Sequence, residues 1–165
     1  MAKQKEIKTN AMRILEREKI PFTHHTYECE EFIDGGQIAD KLHLPHELVY
    51  KTLVTVGNDK NYYVFVLPID EELDLKKAAR AVGCKSVAML HVKDIHAVTG
   101  YIRGGCTAIG MKKQYRTTIS DAAEHLERMI VSGGRLGSQI ELAPADLCRA
   151  ASAQFGDITV RSFAG

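Results

Sequence analysis

Apolar residues recur at helical spacing in some segments and in continuous or alternating runs in others, and this pattern predicts the elements. Helical spacing predicts a first helix that begins near Thr9 or Asn10 and ends at Ile20, which precedes a proline. Runs rich in β-branched and aromatic residues over 49–56 and 62–67 predict two strands. Because only a short loop separates these strands, we expect them to pair as an antiparallel hairpin.

Weaker patterns predict the remaining elements. Helical segments are expected over 37–42, 73–82, 91–98, 121–127 and 144–153. Strands are expected over 22–27, 87–90, 115–119, 129–132, 139–143 and 158–160. Residues 29–36 form a predicted turn and residues 161–165 a predicted frayed tail. Hairpins with scattered helices, without regular strand–helix alternation, predict a single α+β domain over 1–165 with a mixed, largely antiparallel sheet.

Charge and composition limit the classes of function. The 165 residues include 22 basic and 21 acidic residues, which argues against a protein that binds nucleic acid over its whole surface. Basic segments at 76–80 and 112–116 leave room for a local contact, although such runs are commonly solvated. Neither a secretory signal nor a transmembrane stretch is visible, so we expect a cytoplasmic protein with free thiols and no membrane contact. The histidines and cysteines follow no metal-binding spacing, so no metal and no other cofactor is expected.

Lys51 is the first candidate for chemistry, because it interrupts the most apolar predicted strand. A lysine there is costly unless its ammonium reaches water or a partner. It is either a solvent-facing lysine on a half-buried strand or a cation directed into a pocket, where it could bind a phosphate, carboxylate or carbonyl oxygen.

Two further segments have the composition of a ligand-binding loop. The segment 104–110 contains three glycines, which allow backbone N–H groups to approach an oxyanion or a carbonyl oxygen closely. Ser132 stands at a predicted strand end before two glycines, where it either lines a pocket or satisfies a turn. No dinucleotide fingerprint, P-loop or Ser-His-Asp pattern accompanies them.

These features occur in an order that resembles a known family. The shared segments are Tyr27 on an early strand, Tyr-Lys-Thr-Leu at 50–53, Asp-Leu-Lys-Lys-Ala-Ala at 74–79, Thr-Gly-Tyr-Ile-Arg-Gly-Gly at 99–105, the Gly110 turn, Val-Ser-Gly-Gly at 131–134, and Pro144. The chain is similar over nearly its whole length to the YbaK/EbsC family of aminoacyl-tRNA deacylases, which is related to the editing domain of bacterial prolyl-tRNA synthetases. The resemblance implies a barrel-like sheet surrounded by short helices.

The resemblance also implies an activity and a site. The family hydrolyses the ester between a wrong amino acid and a tRNA, and the Lys51-Thr52 pair resembles members that clear cysteine from tRNA for proline. Lys51, Gly104 and Gly105 would then be the catalytic residues, with Lys51 positioning the substrate and the glycine amides stabilising the carbonyl oxygen. The implied substrate-binding residues are Tyr27, Thr52, Cys106, Thr107, Gly110 and Ser132.

In the cysteine-clearing members of the family, the thiol of the substrate attacks its own ester, so no protein nucleophile is implied. One departure from the family pattern is Thr107-Ala108 where a Ser-Pro pair is usual, which predicts a more mobile loop and a possible change of amino acid. Two alternatives therefore stay open. The substrate is another aminoacyl-tRNA such as Ala-tRNA(Pro), or the protein is a non-catalytic module that binds a nucleotide or a tRNA acceptor end. The expected partners are aminoacyl-tRNA and, transiently, prolyl-tRNA synthetase or another translation factor.

Overall fold

The computed structural model describes residues 8–28 and 33–160. The helices are α1 (Asn10–Arg17), α2 (Gly35–Lys41), α3 (Leu75–Val82), α4 (Ile95–Thr99) and α5 (Pro144–Ala151). The strands are β1 (Thr23–Thr26), β2 (Tyr50–Gly57), β3 (Tyr62–Pro68), β4 (Val87–Met89), β5 (Arg116–Ser120), β6 (Met129–Ser132), β7 (Ser138–Leu142) and β8 (Ala153–Gly156). Short 3-10 turns cover His46–Leu48, Val92–Asp94 and Asp121–His125.

Two sheets carry the site. The larger has the order β4-β2-β3-β5-β8, in which β2 pairs antiparallel with β3 and β4, whereas the β3–β5 and β5–β8 pairs are parallel. The smaller is the antiparallel sheet β1-β7-β6, and a single parallel bridge between Val49 and Ile130 joins the two sheets. The predicted α+β class with a mixed, largely antiparallel sheet is confirmed.

The hairpin of β2 and β3 is central because β3 is buried on both faces. Val66 packs in a cluster with α1 and the smaller sheet, whereas Phe65 and Leu67 face a cluster that includes Ala78 of α3. A strand covered on both faces has a continuous apolar sequence rather than an alternating one. This burial explains why the sequence predicts β3 so clearly.

Helix α1 is fixed to the turn after β6 by its N-cap. The Thr9 hydroxyl accepts a hydrogen bond from the Met12 N–H and donates to the Gly133 carbonyl, 2.5 Å away. A threonine N-cap of this kind typically contributes about 1 kcal/mol. The cap therefore ties the helix to the Gly133 turn, which follows the candidate residue Ser132.

The last predicted strand is wrong. Helix α5 ends at Ser152 in the left-handed conformation (φ 50°), and the chain enters β8 at once, so 153–156 pairs with β5 in place of 158–160. Thr159 forms only an isolated bridge with Leu73. The predicted helix over 91–98 divides into a 3-10 turn and α4. Parts of the predicted turn over 29–36, and the predicted tail over 161–165, lie outside the described residues.

Candidate functional site

A cavity of about 580 Å³ lies beside β2. Strand β3 pairs with β2 along its whole length, but β4 pairs only with 55–57 on the other edge. The first half of β2 therefore has an edge without a strand partner in the described sheet, and residues 49–54 line the cavity there. The rest of the lining comes from the start of α2, the segments 69–70, 89–95 and 103–106, and the smaller sheet.

Thr52 contributes its backbone to this open edge. The Gly57 N–H donates to Asn61 and the Ile69 N–H donates to Val49, so odd-numbered residues of this stretch bond towards β3. In an antiparallel pair the direction alternates, and the N–H and C=O of Thr52 consequently point away from β3. The predicted substrate-binding residue Thr52 thus presents a main-chain donor and acceptor to the cavity wall.

Lys51 lies half-buried in the same wall. Burial lowers the pKa of the Lys51 ammonium, and the nearby carboxylates of Glu72, Asp70 and Glu71 oppose this change. Its Nζ donates to the Ile69 carbonyl over 3.4 Å, which is a long hydrogen bond. An ammonium group has three donors, so Lys51 retains the capacity to bind a ligand oxygen.

The two candidate glycines have different surroundings. Gly104 lines the cavity in the left-handed conformation (φ 85°), and its N–H has no hydrogen-bond partner among the residues that the structure describes. The Gly105 N–H already donates to the Ile102 carbonyl at 3.0 Å. A Cβ on Gly105 would stand 2.7 Å from the Arg135 Cα. Gly105 therefore allows two loops to approach each other, and Gly104 offers the free amide.

Three other candidates are absent from the cavity lining in the described chain. Thr107 is fully buried, and its hydroxyl accepts a hydrogen bond from the Ile109 N–H. Gly110 adopts a left-handed conformation (φ 75°), and its carbonyl accepts from the Asn10 side chain. The Tyr27 N–H donates to the Gly137 carbonyl, and the Tyr27 side chain is half-buried. The geometry therefore gives Thr107 and Gly110 a part in shaping the loop instead of lining the cavity.

Cys106 and Ser132 do line the cavity. Burial raises the pKa of the Cys106 thiol to about 11, so the group stays protonated near neutral pH. The Ser132 hydroxyl accepts a hydrogen bond from the Gly134 N–H at 3.2 Å and still has its own proton to donate. Cys106 is thus a poor nucleophile, whereas Ser132 can bind a polar group.

Gln139 is a lining residue that the sequence interpretation missed. It stands opposite Ser132 in the β6–β7 pairing, is only 3% exposed, and lines the cavity. Its side-chain amide makes no hydrogen bond to another residue within 8–28 and 33–160, and its polar atoms are not fully enclosed by the protein. Because an amide that lines a cavity without a protein partner can bind a ligand, Gln139 is a candidate ligand-binding group. The apolar residues Ile140 and Leu142 indicate a strand in which apolar and polar positions alternate. They do not indicate that the face with Gln139 adjoins a cavity.

An acidic part of the lining comes from α2 and the loop after β3. Asp34 caps α2 through a capping box with Gln37, and the Asp70 carboxylate lies close enough to the Lys51 ammonium to raise its pKa. His46 connects these segments, because its ring nitrogens lie 2.8 Å from Asp40 and 3.0 Å from Asp70. Both carboxylates raise the pKa of His46. These contacts fix the Asp70 side of the cavity.

Two other kinds of site are missing from the described part of the chain. Residues 8–28 and 33–160 contain no cluster of three or more histidine, cysteine, aspartate or glutamate residues that could hold a metal ion. The same residues form no helix long and apolar enough to cross a membrane.

Comparisons with known proteins agree with this geometry. EbsC of Enterococcus faecalis, named as a candidate Cys-tRNA(Pro)/Cys-tRNA(Cys) deacylase, is 46% identical over 163 residues, covering 98% of this chain and 99% of that protein. A crystal structure described as a candidate trans-editing enzyme for prolyl-tRNA synthetase superposes with a TM-score of 0.78 at 19% identity, covering 94% of this chain and 100% of that one. A second crystal structure, of a protein named only as hypothetical, gives a TM-score of 0.82 at 18% identity, over 90% of this chain and 97% of that one.

The two structures share the fold at low identity. The aminoacyl-tRNA editing domain family matches residues 34–150, a segment that contains every lining residue except Ile33. Most of the chain, including Lys51, Gly104, Ser132 and Gln139, therefore falls within that match. This chain belongs to the aminoacyl-tRNA editing domain family.

Proposed function

We propose that the protein is a trans-editing hydrolase that removes cysteine from mischarged tRNA, with Cys-tRNA(Pro) as its principal substrate. One observation carries the proposal: the half-buried Lys51 ammonium shares a cavity with the Gly104 amide. A volume of about 580 Å³ lies in the range of small-molecule sites, large enough to enclose a ligand of that class. The 46% identity with EbsC supports the same substrate class.

The proposed chemistry depends on positioning. Lys51 and the Gly104 N–H donate to the oxygens of the ester and so stabilise negative charge as it develops on the carbonyl oxygen. Preorganised donors of this kind act where water is excluded, and the half-burial of Lys51 is consistent with such a site. Ser132 and Gln139 bind polar groups of the aminoacyl moiety from the other sheet.

The nucleophile in this proposal is the thiol of the substrate. Its sulfur forms a bond to the ester carbonyl carbon, the bond from that carbon to the ribose oxygen breaks, and the thiol proton ends on the leaving oxygen. Water then opens the released cyclic thioester to free cysteine. An intramolecular thiol has a high effective molarity, so no protein nucleophile is needed. None of the residues that line the described cavity is a histidine, and Cys106 is held as a thiol.

The protein acts with partners in this proposal. The net charge of +1 allows few phosphate contacts, so its own affinity for tRNA is weak at physiological salt. A transient complex with prolyl-tRNA synthetase or another translation factor in the cytoplasm would supply the missing selectivity for tRNA.

A deacylation panel tests the proposal. tRNAs charged with cysteine, alanine, serine and proline are incubated with the wild-type protein, with Lys51→Ala, and with Lys76→Ala as a control at an exposed lysine of α3. We expect fast release of cysteine by the wild type and by Lys76→Ala, with loss of release in Lys51→Ala. Preferential release of alanine would mean that the principal substrate is Ala-tRNA(Pro). Binding of tRNA without release of any amino acid would mean that the protein is a binding module and not an enzyme.

A further inference from the structure

Three exposed apolar side chains lie in segments that form or adjoin the lining of the cavity. Met89, Val92 and Ile102 are 45%, 55% and 51% exposed. Met89 and Val92 line the cavity, and Ile102 precedes the lining residue Arg103. We call these three residues the apolar rim. The other large exposed apolar residues in the described chain are Leu75 and Val160, and neither lines this cavity.

Basic residues lie in the same segments as the apolar rim and in a segment that adjoins them. Over 89–103 and 111–113 the chain carries four basic residues and one acidic residue, Asp94. The Lys112 N–H donates to the Thr99 carbonyl, and the Lys112 side chain packs over Gly100, so the two segments adjoin. Arg103 is exposed and lines the cavity. This is a strong local excess of positive charge in a chain whose net charge is only +1.

Exposed apolar side chains beside cations are what a single nucleic-acid strand needs from a protein. The bases pack against apolar side chains and the backbone phosphates bind lysine and arginine. A contiguous apolar surface with a polar border typically marks an interaction site. In an aminoacyl-tRNA the amino acid is esterified to the last nucleotide. If that nucleotide occupies the cavity, the preceding nucleotides must leave through the opening of the cavity. The α2 and 69–70 parts of the lining carry Asp34 and Asp70, which repel phosphates.

We propose that the apolar rim and Arg103 bind the nucleotides that immediately precede the esterified one in the tRNA acceptor strand. Bases pack on Met89, Val92 and Ile102, and the Arg103 guanidinium binds the intervening phosphate. The inference rests on the proposed function, because it takes the cavity as the place of the aminoacyl ester. In this proposal the surface formed by 89–103 binds RNA and does not contact the synthetase.

The test compares a substrate that has these nucleotides with one that lacks them. Release of cysteine is measured from Cys-tRNA(Pro) and from the cysteinyl ester of adenosine alone, for Val92→Ser, Ile102→Ser and Arg103→Gln. Leu75→Ser and Arg80→Gln serve as matched controls, since Leu75 and Arg80 are exposed and lie outside this cavity. We expect the ratio of kcat/KM between tRNA and adenosine ester to fall about 5- to 20-fold in Val92→Ser, Ile102→Ser and Arg103→Gln, mainly through KM, because only the tRNA makes the contacts that these variants lose. The controls keep the wild-type ratio.

A salt titration separates the phosphate contact from the base contacts. Arg103→Gln should lower the slope of log K for tRNA against log salt by about 0.7, because one phosphate contact of a single strand is lost. Ile102→Ser should weaken binding and leave the slope unchanged.

An unchanged ratio, or equal losses in the Leu75→Ser and Arg80→Gln controls, would overturn the proposal. So would a loss that occurs only when prolyl-tRNA synthetase is present, because the face would then bind protein. If the wild type releases cysteine from neither substrate, the proposed function fails. The rim is then tested by binding of an RNA oligonucleotide ending in CCA, with weaker binding by the rim variants supporting it and equal binding overturning it.

Discussion

The first half of β2 and the loop over 104–110 both contain residues predicted for the site, yet they contribute to it differently. In β2, Lys51 and Thr52 are adjacent and both line the cavity. In the loop only Gly104 and Cys106 do so, whereas Gly105, Thr107 and Gly110 hold the loop against its neighbours. A strand on an open edge presents every residue to the cavity through side chain or backbone. A loop needs most of its residues to keep its own shape.

The strongest test of this contrast is Lys51→Met. The Lys51 ammonium lies in a partly buried wall that lowers its pKa. Its burial therefore reduces the free energy of unfolding, and the site keeps this charge because its function requires it. We expect cysteine release to fall about 100-fold or more, as for the loss of one preorganised donor, while the melting temperature stays constant or rises. Calorimetry beside the deacylation assay checks both. A fall in melting temperature that parallels the loss of activity would make Lys51 a structural residue.

The same pKa shift predicts a pH dependence. Because burial lowers the pKa of Lys51, the cation is lost at a pH below that of an ordinary lysine. Enzyme-catalysed release, corrected for spontaneous ester loss, should therefore decline at a pH below the ordinary lysine pKa of about 10.4. Lys51→Arg, if active, should retain its rate there, because arginine does not deprotonate in this range. A wild-type rate that keeps rising with pH like the uncatalysed reaction would contradict the assignment.

Within the loop, Gly104→Ala and Gly105→Ala should separate substrate binding from packing. A Cβ on Gly105 would meet the Arg135 backbone, so we expect Gly105→Ala to reduce the free energy of unfolding by about 1–3 kcal/mol. Gly104→Ala carries the cost of a left-handed residue, about 1–2 kcal/mol, and additionally lowers kcat because the free amide shifts. Urea denaturation and kinetics on the same samples distinguish them. A Gly105 variant that is stable but inactive would reverse the two roles.

Gln139→Leu extends the comparison to the smaller sheet. Removing a buried amide without a partner leaves no unsatisfied group behind, so the stability should be unchanged or higher. Loss of one hydrogen bond to the substrate should raise KM about 3- to 10-fold. Glu141→Gln is the reference variant on the same strand, since Glu141 pairs with His25 and Arg128 and should affect stability instead. Equal effects of the two variants on KM would exclude a specific contact by Gln139.

The smallest effect is expected for Cys106→Ala. The Cys106 thiol has a pKa raised to about 11 and serves as a small filler in the cavity wall. Cysteine release should remain within about twofold of the wild-type rate, with a stability change of about 1 kcal/mol or less. Complete inactivation in a folded Cys106→Ala protein would point to a protein nucleophile.

The sequence predicts those parts of the fold in which local pattern and burial agree. The β2–β3 hairpin follows from a continuous apolar run that is buried on both faces. The last strand could not be predicted, because 153–156 has few strand-forming residues and is fixed by its pairing with β5 and by core packing of Phe155, both contacts far away in sequence. Tertiary contact thus overrides local propensity there.

The site shows the same division. Lys51 could be found because a charge inside an apolar strand is conspicuous. Gln139 could not, because a glutamine in an alternating strand looks like any solvated residue until a cavity is known to adjoin it. The difference between Gly104 and Gly105 depends on which N–H closes a turn, a backbone detail that no residue type encodes.

In our proposal the site positions an ester for attack by the thiol of its own substrate, and a comparison of two charged tRNAs tests this. The wild-type protein is given tRNA(Pro) charged with cysteine and, separately, the same tRNA charged with S-methylcysteine. We predict that methylation slows ester cleavage at least about 100-fold while the charged tRNA still binds, because the intramolecular nucleophile is lost. Equal rates of cleavage for the two substrates would contradict it.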